Sequence, residues 1–155
     1  RRVADRLEDL GLVVALQVTG SSGVHVVCPV RREGDFDEAR RLVRAVAGEL
    51  AEAHPKSLTV EQRTAARGDR VFLDCGRNAW AQTMVAPYAV RARPGAPVAT
   101  PIAREELDDP ELHARRWTIR TIRRRLGQRA DPWRGLGRHA RSIRGIGERV
   151  RGGDD

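Results

Sequence analysis

Lysine is almost missing from this chain of 155 residues: Lys56 is the only one, so nearly all of its positive charge is arginine. Aromatic residues are scarce at 4%, so any core must be built from Val, Leu, Ile and Ala, which the 40% hydrophobic content allows. No apolar run approaches the roughly 18 residues of a membrane span, and none is a candidate for a membrane helix. No secretory signal pattern is present either, because Arg1-Arg2 leads directly into an amphipathic stretch. There are two cysteines, Cys28 and Cys75, in apolar runs. Neither has Cys-x-x-Cys or zinc-site spacing, so they read as two small buried hydrophobes in a reducing cytoplasm. The four histidines are scattered, and the opening lacks a Met, as a fragment would.

What is there is a formal net charge of +8, carried by arginines whose planar donors pair with phosphate oxygens in bidentate fashion. A basic chain without membrane features points toward nucleic acid or nucleotides. A gene rich in G and C produces the same bias toward Arg, Ala and Gly, so charge alone leaves both accounts open.

The pattern along the chain reads as α+β, a mixed and mostly antiparallel sheet flanked by helices. Val3, Leu7 and Leu10 predict a short helix over 2–10 that Gly11 stops. Residues 12–18 (LVVALQV) and 24–30 read as two strands around the turn Thr19-Gly20-Ser21-Ser22-Gly23. The clearest helix covers 36–53, with Ala39, Leu42, Val43, Val46 and Leu50 on one stripe and Asp35 with Glu38 as a capping box. Residues 70–75 read as a third strand, and 82–93 as one long or two short strands with Arg91 and Arg93 on a common face. Pro94-Gly95 marks a turn. Residues 105–112 are acidic and loop-like or briefly helical; 117–126 read as a basic amphipathic helix or a strand running into one. A weak helix is expected over 138–151, and disorder over 152–155.

Three features can carry chemistry, each with a plainer alternative. A glycine-rich turn followed by His25 lets backbone N–H groups approach an anion, with the imidazole at the rim; it is equally an ordinary hairpin turn with a strand histidine. Asp74, at a strand end, suits a metal ligand or a turn-forming aspartate. Arg67, Arg70, Arg77, Arg91 and Arg93, with Asn78, Gln82 and Thr83 as neutral donors, can converge on a phosphate or form a solvated basic face.

The block from 70 to 101, RVFLDCGRNAWAQTMVAPYAVRARPGAPVATP, resembles the polymerase domain of bacterial ligase D, a branch of the archaeo-eukaryotic primase superfamily. Asp74, Asn78, Gln82, Thr83, Ala86-Pro87-Tyr88 and Arg91 through Val98 match that family's order and spacing. Thr19–His25 resembles its Ser-Gly-x-x-Gly-x-His signature; Leu107, Trp117-Thr118-Ile119-Arg120 and Asp131-Pro132-Trp133 resemble its later segments. The resemblance implies a primase-polymerase-like core over residues 1–136, followed by a basic C-terminal helix or tail over 137–155.

It also implies template-directed nucleotide addition at DNA ends in non-homologous end joining, with Mn²⁺ or Mg²⁺ as cofactor. Asp74 matches the third metal-binding aspartate. The resemblance and the neutral donors together put Thr19, Ser21, His25, Arg67, Asn78, Gln82, Arg91 and Arg93 at nucleotide or phosphate. Implied partners are DNA ends and nucleoside triphosphates, with a ligase domain and the bacterial Ku protein; the implied location is the nucleoid region of the cytoplasm.

Departures accompany the match. The family's Asp-x-Asp pair should precede the opening helix and is not in this chain, and Asp35-Phe36-Asp37 has the right letters in a helix-capping place. The family's lysine is replaced by Gln17, its serine by Thr19 and a usual tryptophan by Arg104. The chain is therefore expected to be inactive by itself, either as a piece of an active polymerase domain or as a degenerate relative that binds nucleotide or DNA without chemistry.

Overall fold

The computed structural model describes residues 1–151 as an α+β chain that divides into two compact units. The expected disorder at 152–155 lies outside the described residues.

The first unit contains Arg1, Leu12–Pro29 and Met84–Ala140. Its centre is a three-stranded antiparallel sheet in the order β2-β1-β5, formed by β1 (Ala15–Val18), β2 (Val24–Val27) and β5 (Thr100–Ile102). The middle strand is buried at every position, which is why ALQV has no polar alternation. Gln17 stands opposite His25 on one side and Pro101 on the other. Pro101 has no N–H to give, so its place on an edge strand costs no ladder bond. Leu12, Leu16, Val18, Val98, Ile102, Trp117 and Ile122 make the core, the last from helix α3 (Ile122–Gln128).

Glu106 and Arg125 hold this unit from inside. Arg125 is 9% exposed; its Nη1 and Nη2 reach Glu106 at 2.5 and 2.8 Å, and Nη2 also donates to the Pro101 carbonyl at 2.9 Å. Its guanidinium lies 4.1 Å from the centre of the Trp117 ring. Burial alone would raise the Glu106 pKa. The bonds from Arg125 and from the Ala103 N–H outweigh it and hold the carboxyl below its ordinary 4.5.

The second unit contains Arg2–Gly11, Val30–Thr83 and the segment from Arg141. It packs helix α1 (Arg2–Asp9), helix α2 (Phe36–Ala53) and helix α4 (Ile146–Arg151) around Ala4, Leu7, Leu10, Leu42, Val46, Leu50, Leu58, Ile143 and Ile146. The α2 bounds are those its sequence predicts. Asp35 Oδ1 accepts from Glu38 N at 2.7 Å, and the His54 N–H closes the last turn onto the Leu50 carbonyl at 3.0 Å. Gly11 ends α1 at φ +82°, the left-handed stop that glycine adopts freely. A short parallel pair, β3 (Leu58–Thr59) and β4 (Val71–Phe72), completes the unit.

Three expectations need correction. The stretch 82–93 is turns with one antiparallel bridge, Val90 to Val98, because Ala81 and Tyr88 take positive φ and break any extended run. The strand expected over 70–75 shrinks to Val71–Phe72, since Asp74 turns the chain onto Gly76. The weak helix over 138–151 is a 3₁₀ turn (Leu136–His139), an isolated bridge at Arg141 and the short α4. Conversely, β5 has no alternating pattern of its own and exists because β1 offers it a partner.

Candidate functional site

The Thr19–Gly23 turn belongs to the first unit and joins β1 to β2. Thr19 N donates to the Gly23 carbonyl at 3.0 Å, and Thr19 Oγ1 accepts from the Ser21 and Gly23 N–H groups, both at 3.2 Å. Those two amides are thus committed to the turn and do not aim at an anion. The Thr19 hydroxyl hydrogen remains to be donated, and the Ser21 hydroxyl has no partner among the described residues.

Gly20 explains the need for glycine. Its φ is +66°, and a Cβ there would stand 2.7 Å from Arg91 Cγ and 3.1 Å from Ala99 N. The aliphatic stem of Arg91 therefore lies directly across the turn. A second guanidinium reaches it from far along the chain: Arg115 Nε donates to the Ser21 carbonyl at 2.8 Å. Neither arginine makes an ion pair among the described residues. His25 follows two residues after the turn and is half-buried.

Gln17 is fully buried on the middle strand. Its Nε2 donates to the Val85 carbonyl at 3.1 Å, while Oε1 meets no hydrogen-bond partner among the described residues. It is a neutral tether from the sheet to the 82–93 stretch, not a charge at the turn. That stretch shapes a hollow of about 530 Å³ whose lining includes Val85, Ala89, Arg91 and Arg93. Arg91 and Arg93 thus share a hollow, although the strand expected to align them is absent.

The remaining candidates lie in the second unit. Asp74 is exposed, and its Oδ1 accepts from Gly76 N at 2.8 Å, the turn-forming arrangement. Arg67 donates to the Glu61 carbonyl from Nε at 2.9 Å and to the Gln62 carbonyl from Nη2 at 2.7 Å, and stacks 3.8 Å from the Phe72 ring centre. Asn78 Nδ2 reaches the Cys75 carbonyl at 3.4 Å, and Gln82 Oε1 accepts from Arg77 Nη1 at 3.0 Å. These polar groups brace the loops that carry them. Burial raises the Cys75 thiol pKa, helped by the Asp74 charge, and the thiol donates to the Val43 carbonyl. Asp35 is spent on its helix cap. Among the described residues no group of three His, Cys, Asp or Glu side chains gathers to hold a metal ion. The carboxylates described here therefore do not fit a divalent cation.

Two motifs of the sequence are architectural. Tyr88, at φ +62°, gives its hydroxyl to Asp131; burial first, then that bond and charge, push the phenol pKa well above 10. Asp131 Oδ1 also accepts from Trp133 N at 2.9 Å, and Trp133 Nε1 donates to the Leu16 carbonyl at 2.9 Å. Arg115 is the residue that sequence reasoning missed. Its contact with Ser21 spans 94 positions, and nothing in its local pattern sets it apart from its neighbour Arg116.

Comparison with known proteins agrees with this framework. The family model described as "LigD, primase-polymerase domain" matches residues 1–133. The multifunctional non-homologous end joining protein LigD of Pseudomonas aeruginosa is 36% identical over 129 residues, covering 82% of this chain. The LigD of Mycobacterium tuberculosis is 37% identical over 112 residues, covering 72%. The chain spans 15% of the length of each of these relatives. The solved polymerase domain of Mycobacterium tuberculosis ligase D, in complex with DNA, superposes with a TM-score of 0.82 at 33% identity; the match covers 90% of this chain and 48% of that one. The chain belongs to the LigD primase-polymerase domain family.

Proposed function

We propose that this chain supplies the triphosphate-holding part of a LigD-type primase-polymerase, serving nucleotide addition at DNA ends in non-homologous end joining. The observation that carries the reading is the convergence of Arg91 and Arg115 on the Thr19–Gly23 turn. Planar guanidinium donors suit phosphate oxygens, and the hydroxyls of Thr19 and Ser21 with the His25 imidazole add further donors at the rim. Residues 1–136 are assigned to the primase-polymerase part, and 137–155 to a basic C-terminal segment.

Asp74, Arg67, Asn78 and Gln82 shape the loops of the second unit, and Mn²⁺ or Mg²⁺ would need carboxylates in addition to Asp74. The carboxylates described here do not gather, so the chain by itself is inactive in this reading. Partners are nucleoside triphosphates and DNA ends, with a ligase domain and the Ku protein in the wider assembly in the cytoplasm. The ungathered carboxylates also favour a second reading, a module that binds nucleotide or DNA without chemistry.

The test is calorimetry of ATP binding to this chain. Wild type should bind, and Arg91→Ala and His25→Ala should each weaken binding about tenfold, the scale of one lost charge-assisted hydrogen bond. Binding unaltered in both variants would sink the assignment of the turn. Mn²⁺-dependent primer extension by a fusion that adds the family's Asp-x-Asp segment to this chain separates the two readings. Extension lost in Asp74→Ala supports the polymerase; no extension alongside intact ATP binding supports the module.

A further inference from the structure

The first unit holds thirteen arginines against six acidic residues, a formal +7 of the chain's +8. These arginines are not treated alike. Arg125 is paired with Glu106, and Arg116 with Asp109 and Glu111. Arg93 and Arg120 are exposed and make no side-chain hydrogen bond or ion pair among the described residues. Both face one open hollow of about 630 Å³, completed by Gly95, Ala96, Thr118 and Ile119.

The two turns that form the hollow are fastened to each other. Pro97 bridges Thr118, Val98 N donates to the Trp117 carbonyl at 2.8 Å, and Ile119 N donates to the Ala96 carbonyl at 3.1 Å. Within the second turn, Thr118 N donates to Thr121 Oγ1 at 3.0 Å and Arg120 N to Thr118 Oγ1 at 3.3 Å. Ala96 is kept at φ +44°, a conformation that costs a non-glycine residue on the order of 1 kcal/mol and persists only where the surroundings enforce it. Ile119, half exposed, gives the floor an apolar surface.

We infer that this hollow is a second anion site, distinct from the Thr19–Gly23 turn, and that it takes the phosphodiester backbone of a DNA strand. Two guanidinium groups that face one hollow suit the phosphate oxygens of a strand, and the half-exposed Ile119 offers an apolar surface to its sugars. Both guanidinium groups are assigned to phosphate oxygens, so the contact tracks backbone without sequence preference. Arg93 is thereby assigned to the strand and Arg91 to the triphosphate. The inference rests on the DNA-end reading above and deepens it by placing the strand.

The test is fluorescence anisotropy with labelled single-stranded and duplex oligonucleotides of mixed sequence, across a salt series, with ATP calorimetry alongside. Each phosphate contact contributes about 0.7 to the slope of log affinity against log salt for a single strand and about 0.9 for duplex. Arg120→Gln should lower that slope by about one such increment and leave ATP affinity unchanged. The Arg93→Gln, Arg120→Gln double variant should lower it by about two, and Arg120→Lys should restore it. Which substrate shows the larger loss identifies the strand form. A slope in the double variant equal to wild type overturns the inference, as does a loss of ATP binding in Arg120→Gln matching its loss of DNA binding. If wild type binds ATP but no DNA, the DNA reading fails and this inference with it, while the triphosphate site stands.

Discussion

Replacing Arg125 by alanine strikes the first unit at its most constrained point. The side chain is 8% exposed and its partner Glu106 is 12% exposed, so both charges sit away from water. Removing the guanidinium leaves the Glu106 carboxylate buried without its cation, a situation that typically costs about 3–5 kcal/mol. It also leaves the Pro101 carbonyl without that donor and removes the stacking on Trp117, about 0.5–2 kcal/mol more. Against a total stability of about 5–15 kcal/mol for a domain, the loss is roughly a quarter or more.

Urea unfolding followed by circular dichroism measures it. Arg125→Ala should move the midpoint sharply down, while the double variant Arg125→Met, Glu106→Gln should lose less, because no charge remains buried alone. The pH dependence has a definite sign. The Glu106 pKa is depressed in the fold, so its contribution is fully present above about 4.5 and disappears as pH falls through the lower folded value. Wild type should therefore lose stability below pH 4.5, more steeply than the double variant. An Arg125→Ala protein within about 1 kcal/mol of wild type, with an unchanged denaturant slope, would refute the reasoning, since no buried pair costs so little to break.

Two further outcomes follow from single residues. Gly20→Ala forces a Cβ to 2.7 Å from Arg91 Cγ at φ +66°, and should cost about 1–3 kcal/mol in urea unfolding while weakening ATP binding, because the Arg91 stem must move; wild-type affinity in that variant would disconnect Arg91 from the turn. Tyr88 is the only tyrosine, so tyrosinate absorbance reports it alone. Half-ionisation should occur well above pH 10 and return toward 10 in Asp131→Asn, where the neighbouring charge is gone.

What the sequence determined by itself is local. The α2 helix needs only Asp35, Glu38 and an apolar stripe at helical spacing, all within one stretch of chain, so its bounds were legible in full. The β1–β2 hairpin was legible for the same reason, as two apolar runs around a glycine turn. The long family match placed the chain among LigD primase-polymerases without any geometry. Tertiary structure decided the rest, because the deciding contacts join residues far apart. The 82–93 stretch has the apolar composition of a strand, but the positive φ values at Ala81 and Tyr88 and a single bridge to Val98 make it a set of turns. Arg67 and Asp74 carry the letters of a phosphate and metal site, yet nearby backbone groups engage both. Arg115 carries no signal at all until folding brings it to Ser21. Which arginines meet carboxylates and which stay open is likewise a property of the packed chain: charge composition counts guanidinium groups, and only the fold fixes what each one faces.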